Sequence, residues 1–186
     1  YAVDSSSYTT GNEVTCSTNG VHTIYFKVTD EAGNVSSITS RTIRIDSTNP
    51  TLPVYFAVSD SQTYTSGTWA TNSVTFTLSS STDDVSSVAS YRYKIDSGEW
   101  QNGNTATITT AGKHTVQYAS VDLAGNVSST GTRDIWIDLT APSTPTISYS
   151  PSYTEGTWIT SEITISASGS TDNLTDSGLL AYAYSI

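Results

Sequence analysis

Apolar and polar residues alternate along most of this chain, in short runs broken by turn-forming residues. SVTFTLS at 73–79 places Val74, Phe76 and Leu78 on one side and threonine or serine on the other. YRYKID at 91–96 does the same with Tyr91, Tyr93 and Ile95. KHTVQYASVD at 113–122 sets Val116 and Tyr118 on one face, and 127–138 sets Ile135 beside Ile137. A two-residue period is the mark of a strand with one buried face, because successive side chains of an extended chain point to opposite sides. Further strands are predicted near 53–59, around Trp100 after an SGE turn, and over TATITT at 105–110. An earlier stretch keeps the pattern, with Ile24, Phe26 and Val28 followed by Ile43 and Ile45. No segment shows sustained helical periodicity. The expected fold class is therefore all-β, with about seven short strands packed as a two-layer sandwich.

The unit recurs. Gly33 and Gly125, Asn34 and Asn126, His22 and His114, and Asp46 and Asp138 each stand 92 residues apart. YTSGTW at 64–69 returns as YTEGTW at 153–158, and STDD at 81–84 returns as STDN at 170–173, both at a step of 89. Such a period is too long for the small solenoid repeats and suits one sandwich per repeat. The expected organisation is the C-terminal half of one repeat at 1–46, a complete repeat at 51–138, and the N-terminal half of a third at 143–186. The linkers DSTNP and DLTAPSTP join them, and their prolines favour an extended connection. A half-sandwich exposes its inner face and an unpaired edge. Each half is thus expected to be completed by a neighbouring repeat of the same protein, or by another molecule through strand complementation.

Charge narrows the partners. Seven basic residues against seventeen acidic ones give a formal net charge of −10. Nucleic acid and anionic membrane faces are excluded as natural partners, and divalent cations become the matching counter-charge. No apolar run is long enough to span a membrane, so no direct insertion is expected of this segment. The single cysteine, Cys16, rules out an internal disulfide, and its counterpart one period on is Ile108, which predicts a small apolar slot. His22 and His114 fall at the start of equivalent strands and read as hydrogen-bonding groups at the core edge. The chain carries no HExxH, CxxC, GxSxG or phosphate-loop motif, and no enzymatic activity is expected of it.

GTWATNSVTFTLSSSTDD, YKIDSGEW, AGKHTVQYASVDLAGNVSS and IDLTAP together resemble the tandem bacterial immunoglobulin-like repeats of large cell-surface and adhesin proteins. The resemblance runs the length of the chain in permuted order. It implies immunoglobulin-like sandwiches in an extracellular protein, secreted or at the bacterial cell surface, acting as stalk, spacer, filament-forming array or adhesive arm. In some giant adhesins of this kind, calcium between consecutive domains stiffens the rod. The Asp-x-Ala-Gly-Asn turn and the linker Asp before Thr-x-Pro resemble the positions that supply ligands there. Tyr8 stands where the second repeat has Trp100, a departure that reads as core tuning.

If the strands are lettered A to G in chain order, the B–C and F–G loops of such a sandwich share one pole with the incoming linker. Asp46 of the linker, Asp83 and Asp84 of the B–C loop, and Asp122 with Asn126 of the F–G turn then converge. The next repeat would use Asp138, Asp172 and Asp176, and the preceding one retains Asp30 and Asn34. Calcium takes six to eight oxygen ligands in a flexible cage, which several carboxylates and an amide can furnish. The same residues also suit a purely structural role, since Asp caps turns and Gly-Asn adopts left-handed backbone. Both readings stand at this level. A separate expectation concerns Trp136, which lies between two inward isoleucines and so faces outward. It is the candidate surface for an adhesin module that binds a glycan or a host protein.

Overall fold

The computed structural model describes residues 1–172 and 178–185, and within them every regular element is a strand. β1 (Ala2–Val3), β2 (Gly20–Phe26) and β3 (Thr39–Ile45) form an antiparallel sheet in the order β1-β2-β3. The strands that follow are β4 (Val54–Ser59), β5 (Gln62–Thr63), β6 (Trp69–Ala70), β7 (Val74–Ser79), β8 (Val88–Ile95), β9 (Gln101–Asn102), β10 (Thr105–Ile108), β11 (Gly112–Asp122) and β12 (Gly131–Ile137). They build two sheets, ordered β10-β7-β4-β5 and β6-β12-β11-β8-β9. β13 (Thr146–Ser150) and β14 (Thr164–Ser168) pair antiparallel on their own. The all-β class read from the alternation is what the chain adopts.

The chain divides into two compact units. The first comprises Tyr1–Tyr55, Leu78–Asn104 and Gln117–Thr132. Its layers meet where the Tyr55 ring stacks on Tyr118 at 5.3 Å. Polar links continue that contact: the Ser120 hydroxyl donates to the Thr51 carbonyl at 2.8 Å, and the Ser81 hydroxyl donates to Ser120 Oγ at 2.8 Å. Gly131 is needed for close approach, because a Cβ there would stand 2.3 Å from Tyr118 Cζ.

The second unit comprises Phe56–Thr77, Thr105–Val116 and Arg133–Ile186. Val74, Phe76, Val116, Ile135 and Ile137 are fully buried in it. Burying a side chain such as Phe76 stabilises by about 1.5–3 kcal/mol. On the opposite face of β7, Thr75 and Thr107 pair across the strands with their hydroxyls 2.8 Å apart. The Tyr64 hydroxyl donates to the Thr68 carbonyl at 2.6 Å and accepts the Trp136 N–H at 2.9 Å.

The differences from expectation have local causes. β5, β6 and β9 are two residues each, too short for alternation to reveal. β12 starts at Gly131 instead of 127, because an isolated bridge between Val121 and Val127 closes the preceding turn. Cys16 is only partly covered, unlike its buried counterpart Ile108. The described residues of 182–186, aligned with β8, take no regular structure.

Candidate metal centre

The inward face of β11 is apolar at Val116 and Tyr118 and turns polar as the strand ends, at Ser120 and then Asp122, both buried. Asp122 opens a turn whose carboxylate is held by one residue. Its Oδ1 accepts the Asn126 backbone N–H at 2.8 Å and its Oδ2 accepts the Asn126 side-chain amide at 2.8 Å. Gly125, with φ of 95°, supplies the left-handed step. The earlier copy is built alike: Asp30 accepts the Asn34 N–H at 2.7 Å and its side-chain amide at 2.8 Å, around Gly33 with φ of 91°. The Asn34 amide and backbone N–H groups hold the Asp30 carboxyl below its ordinary value.

The linker and the B–C loop use carboxylates in the same local way. Asp46 Oδ1 accepts the Thr48 N–H at 2.9 Å and the Thr48 hydroxyl at 2.6 Å. Asp138 Oδ1 repeats the first bond with the Thr140 N–H at 2.9 Å. Asp83 Oδ1 collects three backbone N–H groups, from Val85 at 2.9 Å, Ser86 at 2.8 Å and Ser87 at 3.3 Å. Turn-forming is therefore a real duty of each of these aspartates.

That duty does not exhaust them, since an ionised carboxylate has two oxygens and about four acceptor sites. Asp46, Asp83 and Asp122 each bring one carboxylate oxygen within 4.8 Å of the other two. The Asn126 amide also donates to the Asp46 carbonyl at 3.2 Å, tying the linker to the turn. Asp46 Oδ2 is buried and closes no hydrogen bond, and neither does the neighbouring Ser86 hydroxyl. The Ser86 hydroxyl, then Thr48, nonetheless favour the charged form and hold Asp46 down at about 2. Among the described residues, no lysine or arginine forms an ion pair with any of the three. Three carboxylates gathered without a cationic side chain, one with an orphaned buried oxygen, fit a hard divalent cation whose remaining ligands are water.

The other predicted ligands fall out differently. Asp84 is exposed and is not one of the three. Asp138 and Asp172 line one hollow, and Asp172 Oδ1 is buried without a hydrogen bond among the described residues. Asp176 lies outside the described residues. Asp30 and Asn34 form their turn, and Asp30 belongs to no group of three such ligands among the described residues. Sequence reasoning missed Ser86, Thr48 and Ser120. Carrying the alternation two steps past Tyr118 would have placed Ser120, and Asp122 itself, on the inner face.

Trp136 sits between fully buried Ile135 and Ile137, as the alternation requires, but its ring is partly covered. Trp69 lies opposite it in register at 5.6 Å between ring centroids, and the Lys113 ammonium stands 4.4 Å over the Trp136 ring. His22 has both ring nitrogens engaged, Nδ1 with Asp4 Oδ2 at 2.7 Å and Nε2 with the Thr18 carbonyl at 2.9 Å. His114 Nε2 meets the Thr110 carbonyl at 3.1 Å in the equivalent place.

The strands define an all-β protein of immunoglobulin-like architecture. Residues 3–47 match the family model described as Bacterial Ig-like domain. No curated protein matches the chain. There is no helix long and apolar enough to cross a membrane among the described residues.

Proposed function

We propose that this chain is a non-enzymatic repeat segment of an extracellular bacterial surface protein, a stalk or spacer whose joint is stiffened by calcium. The observation that carries the reading is the meeting of Asp46, Asp83 and Asp122, because each comes from a different segment. Asp46 belongs to the linker leaving 1–46, while Asp83 and Asp122 belong to two loops of the 51–138 repeat. A cation held by all three opposes bending of the linker against the repeat. It also offsets the mutual repulsion of three carboxylates gathered at one pole. Asp46 Oδ2 is the oxygen that has no other occupation.

The test is thermal unfolding with millimolar calcium and then with a chelator, on the wild type and on Asp46→Asn. The amide keeps an oxygen for Thr48 and loses the charge. A site saturated at about a hundred times its dissociation constant raises the Tm of a chain this size by roughly 5–10 °C. The expected outcome is such a rise in the wild type and none in Asp46→Asn. Identical melts with and without calcium in the wild type would remove the cation from this account.

A further inference from the structure

We propose that the outer face of β8 and β9 binds a sugar residue bearing a carboxylate, of the uronic or sialic acid kind, through Arg92, Lys94, Trp100 and Asn102. Tyr93 is buried, so alternation along β8 turns its neighbours Arg92 and Lys94 outward. Asn102 of β9 stands opposite Arg92 in register and is exposed, and Trp100 precedes it by two residues. The Arg92 guanidinium lies 4.6 Å from the centroid of the Trp100 ring, and the Lys94 ammonium 5.7 Å from it. Two of the chain's seven basic residues thus share one indole, which is itself only partly covered.

Three observations point to an anionic ligand. Acids outnumber bases seventeen to seven, yet neither Arg92 nor Lys94 forms an ion pair among the described residues. Arg92 Nε is buried and closes no hydrogen bond among them, so the guanidinium keeps unspent donor capacity. The fold itself does not require these cations. YAYSI at 182–186 aligns with YRYKI at 91–95 and carries Ala183 and Ser185 in their places. The earlier repeat has Ala2 at the position of Lys94 and holds a single ammonium, Lys27, 4.1 Å over the Tyr8 ring. Stacking on an indole fixes the plane of a guanidinium and sets its outer N–H edge for two parallel bonds to a carboxylate. Lys94 adds a second positive charge beside it. The exposed part of the ring offers an apolar surface to the C–H face of a pyranose, and the Asn102 amide serves hydroxyl groups. A sugar acid supplies all of these complements on one small ring. A long polyanion does not suit the face, because the net charge of −10 around it is repulsive. None of these residues belongs to the cluster of Asp46, Asp83 and Asp122, so this binding goes beyond the calcium reading and stands without it.

The test is an NMR titration of the 186-residue chain with glucuronic acid, N-acetylneuraminic acid and glucose, followed on the Trp100 indole N–H. That signal is assigned by its loss in Trp100→Tyr, which installs the residue the earlier repeat carries as Tyr8. The expected result is a saturable shift with the acids below about 20 mM, as a dissociation constant near 1 mM implies. Glucose should bind about tenfold more weakly or not at all, for want of the charged hydrogen bond. Arg92→Ala and Lys94→Ser each install the residue found at 183 or 185, so the melt should not move. Each should weaken acid binding roughly tenfold, and raising sodium chloride from about 50 to 300 mM should weaken it in the wild type. No shift with either acid at that concentration overturns the proposal, and so does equal binding of glucose or undiminished binding by both variants. Acetate that matched the sugar acids would reduce the face to a bare anion site, and hexaglutamate that bound more tightly would make it a peptide site. Both results reject the sugar. Chelator should leave the titration unchanged whatever calcium does to the melt, and a titration lost in chelator would assign the binding to the cation instead of this face.

Discussion

At position 131 an added Cβ would stand 2.3 Å from Tyr118 Cζ, and the ring cannot retreat because it is buried and stacked on Tyr55. Gly131→Ala is therefore expected to destabilise by about 1–3 kcal/mol, the usual range for overpacking a filled core. A lower urea midpoint at unchanged slope would show it, and an unchanged midpoint would mean that the ring has room to move. One period earlier the pair is Phe26 and Thr39, and Phe26 is only partly buried. The sequence alternation was enough to turn Tyr118 inward. It could not mark Gly131, because the constraint is a distance between segments and leaves no trace in spacing. The same limit separates Asp83 from Asp84: adjacent acids look alike in a sequence, and only the path of the loop puts one into the cluster. The meeting of Asp46, Asp83 and Asp122 was legible, because a sandwich brings the B–C loop, the F–G turn and the incoming linker to one pole whatever its side chains.

Between β1 and β2, His22 acts as a clasp. Asp4 sits just past the end of β1 and receives His22 Nδ1 at 2.7 Å and the Thr23 N–H at 2.7 Å, while Nε2 reaches back to the loop at Thr18. A carboxylate at one nitrogen and a carbonyl at the other both accept, so the doubly protonated ring suits the site. Asp4, then Thr18, raise His22 above its ordinary 6.5, and His22, then Thr23, lower Asp4 below its ordinary 3.8. The histidine contribution is complete below pH 6.5 and is lost as pH rises through the higher folded value. The aspartate contribution is complete above pH 3.8 and is lost as pH falls through the lower folded value. Stability from the clasp is therefore greatest between those limits and declines at neutral to alkaline pH. His22→Gln should flatten the dependence of Tm on pH between 5 and 8, and an NMR titration should place the His22 pKa above 6.5. A midpoint at or below that value would contradict the clasp. Elements of six residues or more were read correctly as strands because alternation had room to show, while the two-residue strands exist only through their pairing.

Over the whole chain, seventeen acids face seven bases, so any cation screens some repulsion and stabilises the folded state a little. A calcium effect must be separated from that background. Screening follows ionic strength and is indifferent to which counter-ion supplies it, whereas a site formed by three carboxylates follows the free concentration of one ion. One millimolar calcium chloride adds only about 3 mM ionic strength, which leaves the screening length of a 0.1 M buffer near 10 Å. The expected outcome is that calcium at this level raises Tm in 0.1 M sodium chloride, and that a matching increment of sodium chloride does not. Asp46→Asn and wild type should then respond alike to sodium and differently to calcium, because one charge in a total of −10 barely alters screening but removes a third of the ligand charge at the pole. If sodium at equal ionic strength reproduced the rise, the gathered aspartates would be turn formers in a diffuse acidic field. The stiffness of the joint would then rest on Asn126 and Asn19, which bind the linker at the Asp46 carbonyl and at Ser47.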